Sequence, residues 1–279
     1  MFSASAHSKI HEFETTLLKS TGGTGIGSLL TEESAFLNPA SLSFSSNSTF
    51  YAQKDSDKLT VDGSDKAKPK SLGFVLADGN PSLGGSLSYV DQHEEDVIRK
   101  RWGVSMSAPM GGGKSSVGVS VRSTKDENTV TQQVKKYYQT VLGVTQVIDQ
   151  NFSFGVVAYD PFKSQGHETK ALVGLKYTVA TYITAAADFG GDYTADQLSK
   201  TLVYKGSLQF RVLDDFYLSF GGFKDKSREE KGNGFGLAWM QPRLTLEFAM
   251  KNTTRDKSIA LNQDDAKFKE TSFAASIKF

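Results

Sequence analysis

The sequence contains no cysteine, which excludes disulfides, zinc–thiolate sites and cysteine nucleophiles together. It has little proline, 6 residues in 279, where roughly 5% is usual. It has no surplus of either charge: 32 Lys and Arg against 31 Asp and Glu leave a formal net charge of +1. That balance argues against a nucleic-acid binder, which carries a basic surplus, and against an acidic disordered chain. No run approaches the roughly 18 apolar residues of a membrane-crossing helix, and the mean hydropathy is −0.35. A helical membrane protein is excluded.

What is present in quantity is Phe, 19 residues, and Gly, 26 residues. Many Phe and Gly with few Pro suit a chain spent mostly in strands, because Pro cannot donate to a sheet ladder. From about residue 43 onward the order of residues has period two. Leu202, Tyr204, Gly206, Leu208, Phe210 and Val212 fall on one face, and Val203, Lys205, Ser207, Gln209 and Arg211 on the other. Trp102, Val104, Met106 and Ala108 oppose Arg101, Gly103, Ser105 and Ser107 in the same way, and Leu244, Leu246, Phe248 and Met250 oppose Thr245, Glu247, Ala249 and Lys251.

About 14 such segments are predicted, at approximately 43–54, 69–78, 83–92, 99–109, 114–124, 134–148, 151–160, 168–178, 181–190, 201–212, 215–225, 229–240, 243–252 and 267–279. Most match the roughly 9–11 residues a tilted strand needs to cross a bilayer, and exceed the roughly 5–6 residues common in soluble sheets. The connections alternate. Asp55–Pro69, Asp91–Asp96, Lys125–Gln133, Pro161–His167, Gly191–Lys200, Lys224–Glu230 and Asn252–Ala266 are expected to be the longer ones. Asp78–Pro81, Met110–Gly113, Asp149–Gln150, Thr178–Val179, Asp214–Asp215 and Gln241–Pro242 are expected to be tight. Long and short loops segregated to two ends are the pattern of a bacterial outer-membrane barrel. A soluble antiparallel sandwich shares the alternation; strand length, loop asymmetry and an even count favour the membrane. The apolar faces then meet lipid and the polar faces line the interior. Tyr137, Tyr138, Tyr159, Tyr177, Tyr182, Trp102 and Trp239 are expected in interfacial girdles.

The chain before the strands reads differently. Ala4-Ser5-Ala6 has the small-x-small form of a signal-peptidase site, so residues 1–6 are either a leader remnant or a chance Ser/Ala run. Ile10, Phe13, Leu17 and Leu18 have helix-like spacing within 7–19. The glycines that follow do not sit between a strand and a Lys-bearing helix, so they make no phosphate loop. Residues 22–42 read GGTGIGSLLTEESAFLNPASL. This resembles the N-terminal hatch segment of FadL-type outer-membrane transporters and the related PorV-like barrels. The resemblance rests on Gly22, Gly23, Gly25 and Gly27, then Glu32-Glu33-Ser34-Ala35-Phe36, then Asn38-Pro39-Ala40-Ser41-Leu42. Ser41 stands where those families usually carry Gly, and the chain is shorter than the fatty-acid transporters. The terminal Phe279 resembles the C-terminal signal of barrels inserted by the barrel assembly machinery.

The resulting expectation is an all-β protein: an antiparallel transmembrane β-barrel of about 14 strands over 43–279, with an N-terminal plug over 7–42. Its plug motif is Gly25, Gly27, Asn38, Pro39 and Ala40. Arg101, Arg122, Lys176, Lys205, Arg211, Glu247 and Lys251 are expected to line the lumen, where they wet it or bind anions. No catalytic set is found. His7 and His11 share helical spacing without a third ligand, and His93 and His167 fall in predicted loops, so neither a metal nor a cofactor is expected. The resemblance implies passive uptake of small hydrophobic molecules in the bacterial outer membrane. Outer-membrane lipid, a hydrophobic small-molecule ligand and the assembly machinery are the expected partners, and nucleic acid is not. The alternative is a non-transporting PorV-like scaffold of a surface complex.

Overall fold

The computed structural model describes residues 11–61, 63–65, 68–80, 82–94, 96–164, 169–257 and 265–279. Residues 1–6, His7 and His167 lie outside them. In chain order the strands are β1 (Thr49–Val61), β2 (Ser64–Asp65), β3 (Lys70–Asp78), β4 (Gly84–Glu94), β5 (Val97–Met110), β6 (Ser115–Asn128), β7 (Val134–Val147), β8 (Phe152–Tyr159), β9 (Lys170–Val179), β10 (Ile183–Gly191), β11 (Val203–Leu213), β12 (Phe216–Asp225), β13 (Glu230–Met240), β14 (Leu244–Arg255) and β15 (Ala266–Lys278). The two-residue β2 pairs only with the end of β1. Each of the others pairs antiparallel with its neighbours, and β15 pairs with β1 from Thr49↔Lys278 to Val61↔Ala266. Among the described residues this makes a closed barrel of fourteen strands.

Closure gives every strand a partner on both sides, so backbone donors and acceptors need no water. The side chains then sort by parity. On β5, Trp102 and Val104 are each 53% exposed, while Arg101 and Ser105, of the opposite parity, are 5% and 2% exposed. Val121, Leu142, Val173, Leu208 and Phe273 continue an exposed apolar belt around the outside. Ser120, Arg122, Gln139, Thr145, Ser272 and Ser276 are buried within. Apolar outside and polar inside is the arrangement of a transmembrane barrel. Of the expected girdle residues, Tyr138, Tyr177, Tyr182 and Trp102 face outward. Tyr137 and Tyr159 do not: Tyr137 is buried, and the Tyr159 hydroxyl donates inward to the Leu37 carbonyl at 3.1 Å.

Several boundaries differ from the sequence reading. The first strand begins at Thr49, because Pro39–Phe44 form a 3-10 turn with Pro39 at its start. It then runs on to Val61 through a polar stretch that reads as loop. The connection expected over Asp91–Asp96 is nearly absent, since β4 ends at Glu94 and β5 begins at Val97. The cause is shared: charged cross-strand partners extend the ladder past the apolar belt. Arg99 of β5 donates two hydrogen bonds to Asp126 of β6, at 2.8 and 2.9 Å, and Lys58 of β1 pairs with Asp65 of β2 at 2.8 Å. The longest connection, 192–202, lies at this same end. The other end has the short turns and the Thr49–Lys278 end of the seam, where Ser48 and Phe279 exchange backbone hydrogen bonds of 3.2 and 3.0 Å. Phe279 is 70% exposed there.

A charge on the outward face tests this orientation. Val104→Arg is expected to destabilise the barrel refolded in phospholipid vesicles by about 2–4 kcal/mol. Ser105→Arg would instead direct its charge into the polar interior. Urea titration followed by Trp fluorescence reads the first change; no loss of stability would place Val104 away from lipid.

Candidate functional site: the N-terminal segment and the lumen

Fourteen strands enclose more space than wall side chains alone fill. Residues 11–47 lie in that space. They pass from His11, near the long-loop end, to Asn47 at the start of β1. The described part of the expected helix over 7–19 is helical only at α1 (Thr16–Ser20), with Thr15 accepting from the Leu18 amide at its start. Residues 11–15 are not helical, because their side chains and backbone bind the wall. Thr16 N–H donates to Tyr51 Oη at 3.0 Å, and the Glu14 carbonyl accepts from Gln53 at 3.0 Å. A second short helix, α2 (Thr31–Ser34), follows.

Asn38, Pro39 and Ala40 lie deep in the barrel. Asn38 Nδ2 donates to the Ile26 carbonyl at 3.0 Å and to Thr145 Oγ1 at 2.9 Å, while its Oδ1 accepts from Ala40 N–H at 3.2 Å. Pro39 opens the 3-10 turn and the Ala40 carbonyl accepts from Ser116 Oγ at 2.6 Å. Gly25 N–H donates to Asp188 at 2.8 Å, and the Gly27 carbonyl accepts from Ser153 Oγ at 2.7 Å. These contacts bring residues of β6, β7, β8 and β10 to one chain segment. The wall residues Asp188, Ser116, Thr145 and Ser153 carried no signal of their own in the sequence.

Glycines in the wall make the approach close enough. A β-carbon at Gly118 would collide with the Ala40 backbone, at Gly143 with the Asn38 side chain, at Gly155 with the Ile26 carbonyl, and at Gly234 with the Lys19 carbonyl. Glycine inside a strand marks close backbone approach, and this was the available signal for the contact surface.

Charge holds the segment at two levels. Lys19, 3% exposed, pairs with Asp55 at 3.1 Å and Glu270 at 2.8 Å. Burial alone would lower its ammonium pKa; Asp55 and Glu270 hold it well above the ordinary value instead. Nearer the long-loop end, Glu12 lies 2.6 Å from Arg101 and 3.3 Å from Arg122. Burial would raise the Glu12 carboxyl, but these two guanidiniums keep it well below the usual carboxylate range. Lys251 pairs with Glu14 at 2.6 Å, and Lys205 donates to the Gly23 carbonyl at 2.9 Å. Glu247 is half-buried on the inward face beneath α1. Lys176 is half-buried on β9, outside these clusters. Arg211 stands apart, at the end of β11, where it donates to the Asp214 carbonyl at 2.8 and 3.0 Å.

Between the segment and the wall lies a cavity of about 100 Å³. Phe36, Leu37, Tyr159, Leu172 and Val203 give it an apolar side, and Glu12, Lys205 and Lys251 are among its charged residues. The first described histidine, His11, also borders it; its ring packs edge-on against Phe268 with centroids 4.0 Å apart, 3.2 Å from an Arg255 nitrogen. His93 lies 3.1 Å from Asp91.

No protein-family model matches this chain, and no curated protein matches it either. Solved structures do. The CymD monoaromatic hydrocarbon channel superposes with a TM-score of 0.72 at 10% identity, covering 95% of this chain and 97% of that one. The toluene transporter TodX of Pseudomonas putida gives 0.73 at 11% identity, covering 96% and 98%. The toluene transporter TbuX of Ralstonia pickettii gives 0.66 at 10% identity, covering 96% and 99%. At these identities the likeness is one of fold, and it extends over nearly the whole of each chain.

Glu33 makes docking of the segment dependent on pH. Its carboxyl is 4% exposed and accepts from Thr15 Oγ1 at 2.8 Å. Burial, with Glu32 beside it, pushes its pKa up from 4.5 to about 8. The docked segment therefore holds a proton that the undocked one releases between these values. The Glu33 contribution is full below the undocked pKa and is lost as pH rises through the docked one. Protease cleavage within residues 11–47 of the detergent-solubilised protein is expected to increase from about pH 5 to about pH 9. Glu33→Gln should flatten that rise; an unchanged profile would assign the dependence to other groups.

Proposed function

We propose that this protein is a FadL-type channel of the bacterial outer membrane that passes small hydrophobic molecules by diffusion. The observation that carries the reading is the likeness in fold, along almost the entire chain, to channels described as carrying toluene and monoaromatic hydrocarbons. In this reading residues 43–279 are the barrel, and residues 7–42 are a plug whose described part is 11–42. Gly25, Gly27, Asn38, Pro39 and Ala40 seat the plug. Arg101, Arg122, Lys205, Glu247 and Lys251 face it, and with Lys176 they make the lumen polar.

The cavity supports the choice of solute. The space of about 100 Å³ has one apolar side, formed by Phe36, Leu37 and Leu172, against which a single ring can lie. The plug closes the straight path through the lumen, so permeation requires it to move. The outer-membrane lipid solvates the apolar belt.

In planar bilayers the intact protein is expected to conduct poorly, and removal of residues 7–42 to raise conductance sharply. Equal conductance would overturn the plug assignment. Cells carrying the intact chain should take up radiolabelled toluene faster than cells lacking it. No difference in uptake, with stable co-purification in a larger complex, would favour the scaffold reading.

A further inference from the structure

The strongest unassigned feature of the lumen is the pair Arg101 and Arg122. They stand on neighbouring strands, and their registers, Arg101↔Thr124 and Gly103↔Arg122, place them diagonally on the same inward face. Both are held by groups other than Glu12. Arg101 Nε donates to Thr124 Oγ1 at 3.0 Å. Arg122 donates to the Phe36 carbonyl, and its guanidinium lies 5.7 Å from the Tyr159 ring centroid. Each guanidinium therefore has a tie that does not involve Glu12. Paired, planar guanidiniums fixed in advance are suited to recognising a carboxylate.

Glu12 is the least constrained member of the cluster. Its side chain is 37% exposed, against 6% for Arg101 and 4% for Arg122. It belongs to no helix or strand, and it borders the cavity. Tyr159 connects the two features: Arg122 lies over its ring, and the same ring forms part of the apolar side of the cavity.

We propose that Arg101 and Arg122 form a carboxylate site that Glu12 occupies in cis, and that small arylcarboxylates are ligands of the channel, their carboxylate replacing that of Glu12 while the ring lies against Phe36, Leu37 and Tyr159. The proposal rests on the channel reading above and adds a class of solute to it. The Glu12 carboxyl is held well below the usual carboxylate range, so the internal competitor is ionised at every physiological pH. Being tethered, it competes at an effective concentration on the order of millimolar or more. An external carboxylate binds the intact protein weakly for that reason. When it binds, it removes one of the ties between the segment and the wall.

The test is equilibrium dialysis of the detergent-solubilised protein against radiolabelled phenylacetate and, separately, toluene. Glu12→Gln is expected to bind phenylacetate about tenfold more tightly than the intact protein, and Glu12→Ala should follow it. Arg101→Gln or Arg122→Gln, added to Glu12→Gln, should abolish the gain. Toluene, which has no carboxylate, should change by less than about twofold in every variant. Heat-dependent gel mobility identifies any variant that fails to form a barrel. The proposal is overturned if Glu12→Gln and Glu12→Ala fold but bind phenylacetate no more tightly, or if toluene gains equally, since that would mean the cavity had merely enlarged. Toluene binding with no phenylacetate effect leaves the channel reading standing without this site. Phenylacetate binding without toluene uptake by cells would overturn the channel reading and retain the site.

Discussion

The pairing of β1 with β15 is the constraint from which the remaining features follow. A sheet surrounded by hydrocarbon has no water to satisfy an open edge, so it must close on itself. Closure at fourteen strands leaves an interior wider than its own side chains span. An interior of that width is either a water-filled passage or one occupied by chain. Residues 11–47 occupy it here, and their backbone needs polar partners. The wall supplies them through Asp188, Thr145, Ser116 and Ser153, and it supplies space through Gly118, Gly143, Gly155 and Gly234. The polar inward face is therefore a matching surface for one particular segment.

The balance of forces on that segment differs from that in an ordinary core. Phe13, Phe36, Leu42, Tyr51, Val75 and Val90 form one apolar cluster, and Ile26 with Val141, Val157 and Leu172 forms another. Between them the contacts are ionic and hydrogen-bonded. Apolar contact is non-directional, whereas the Lys19, Glu12 and Asn38 contacts specify one position. A buried charge left without its partner is costly, so partial displacement is disfavoured unless another ion takes the vacated place. This is the physical sense in which a ligand of matching charge could substitute for a residue of the segment.

Much of the wall was legible in the sequence, because alternation is a direct consequence of having different surroundings on the two faces. Trp102, Val104 and Met106 against Arg101, Ser105 and Ser107 show it plainly. Strand ends were less legible. The interior is polar and so is the region beyond the lipid, so Asp55–Val61 and Asp91–Glu94 read as loop although they continue the ladder. The interior position of Asn38 and Pro39 could be suggested from local pattern, but their partners could not. Thr145, Asp188 and Ser116 are small polar residues on a face where most residues are small or polar. The wall glycines Gly118, Gly143, Gly155 and Gly234 are the mark that the contact surface leaves in the sequence. Tyr159 was misplaced because an aromatic near a strand end suits an interface equally well until its parity is fixed.

The seam has a consequence for how the molecule is put together. Every other pairing in the wall joins successive strands of the fourteen. The seam alone joins Thr49 to Lys278, and loop-closure entropy makes such remote pairing the slowest kind to form. The segment that fills the lumen lies immediately ahead of the first strand of that seam. It is therefore attached to the edge whose pairing is the most remote in the chain, so that filling the lumen and closing the seam are joined through one short stretch, at Ser48 and Thr49.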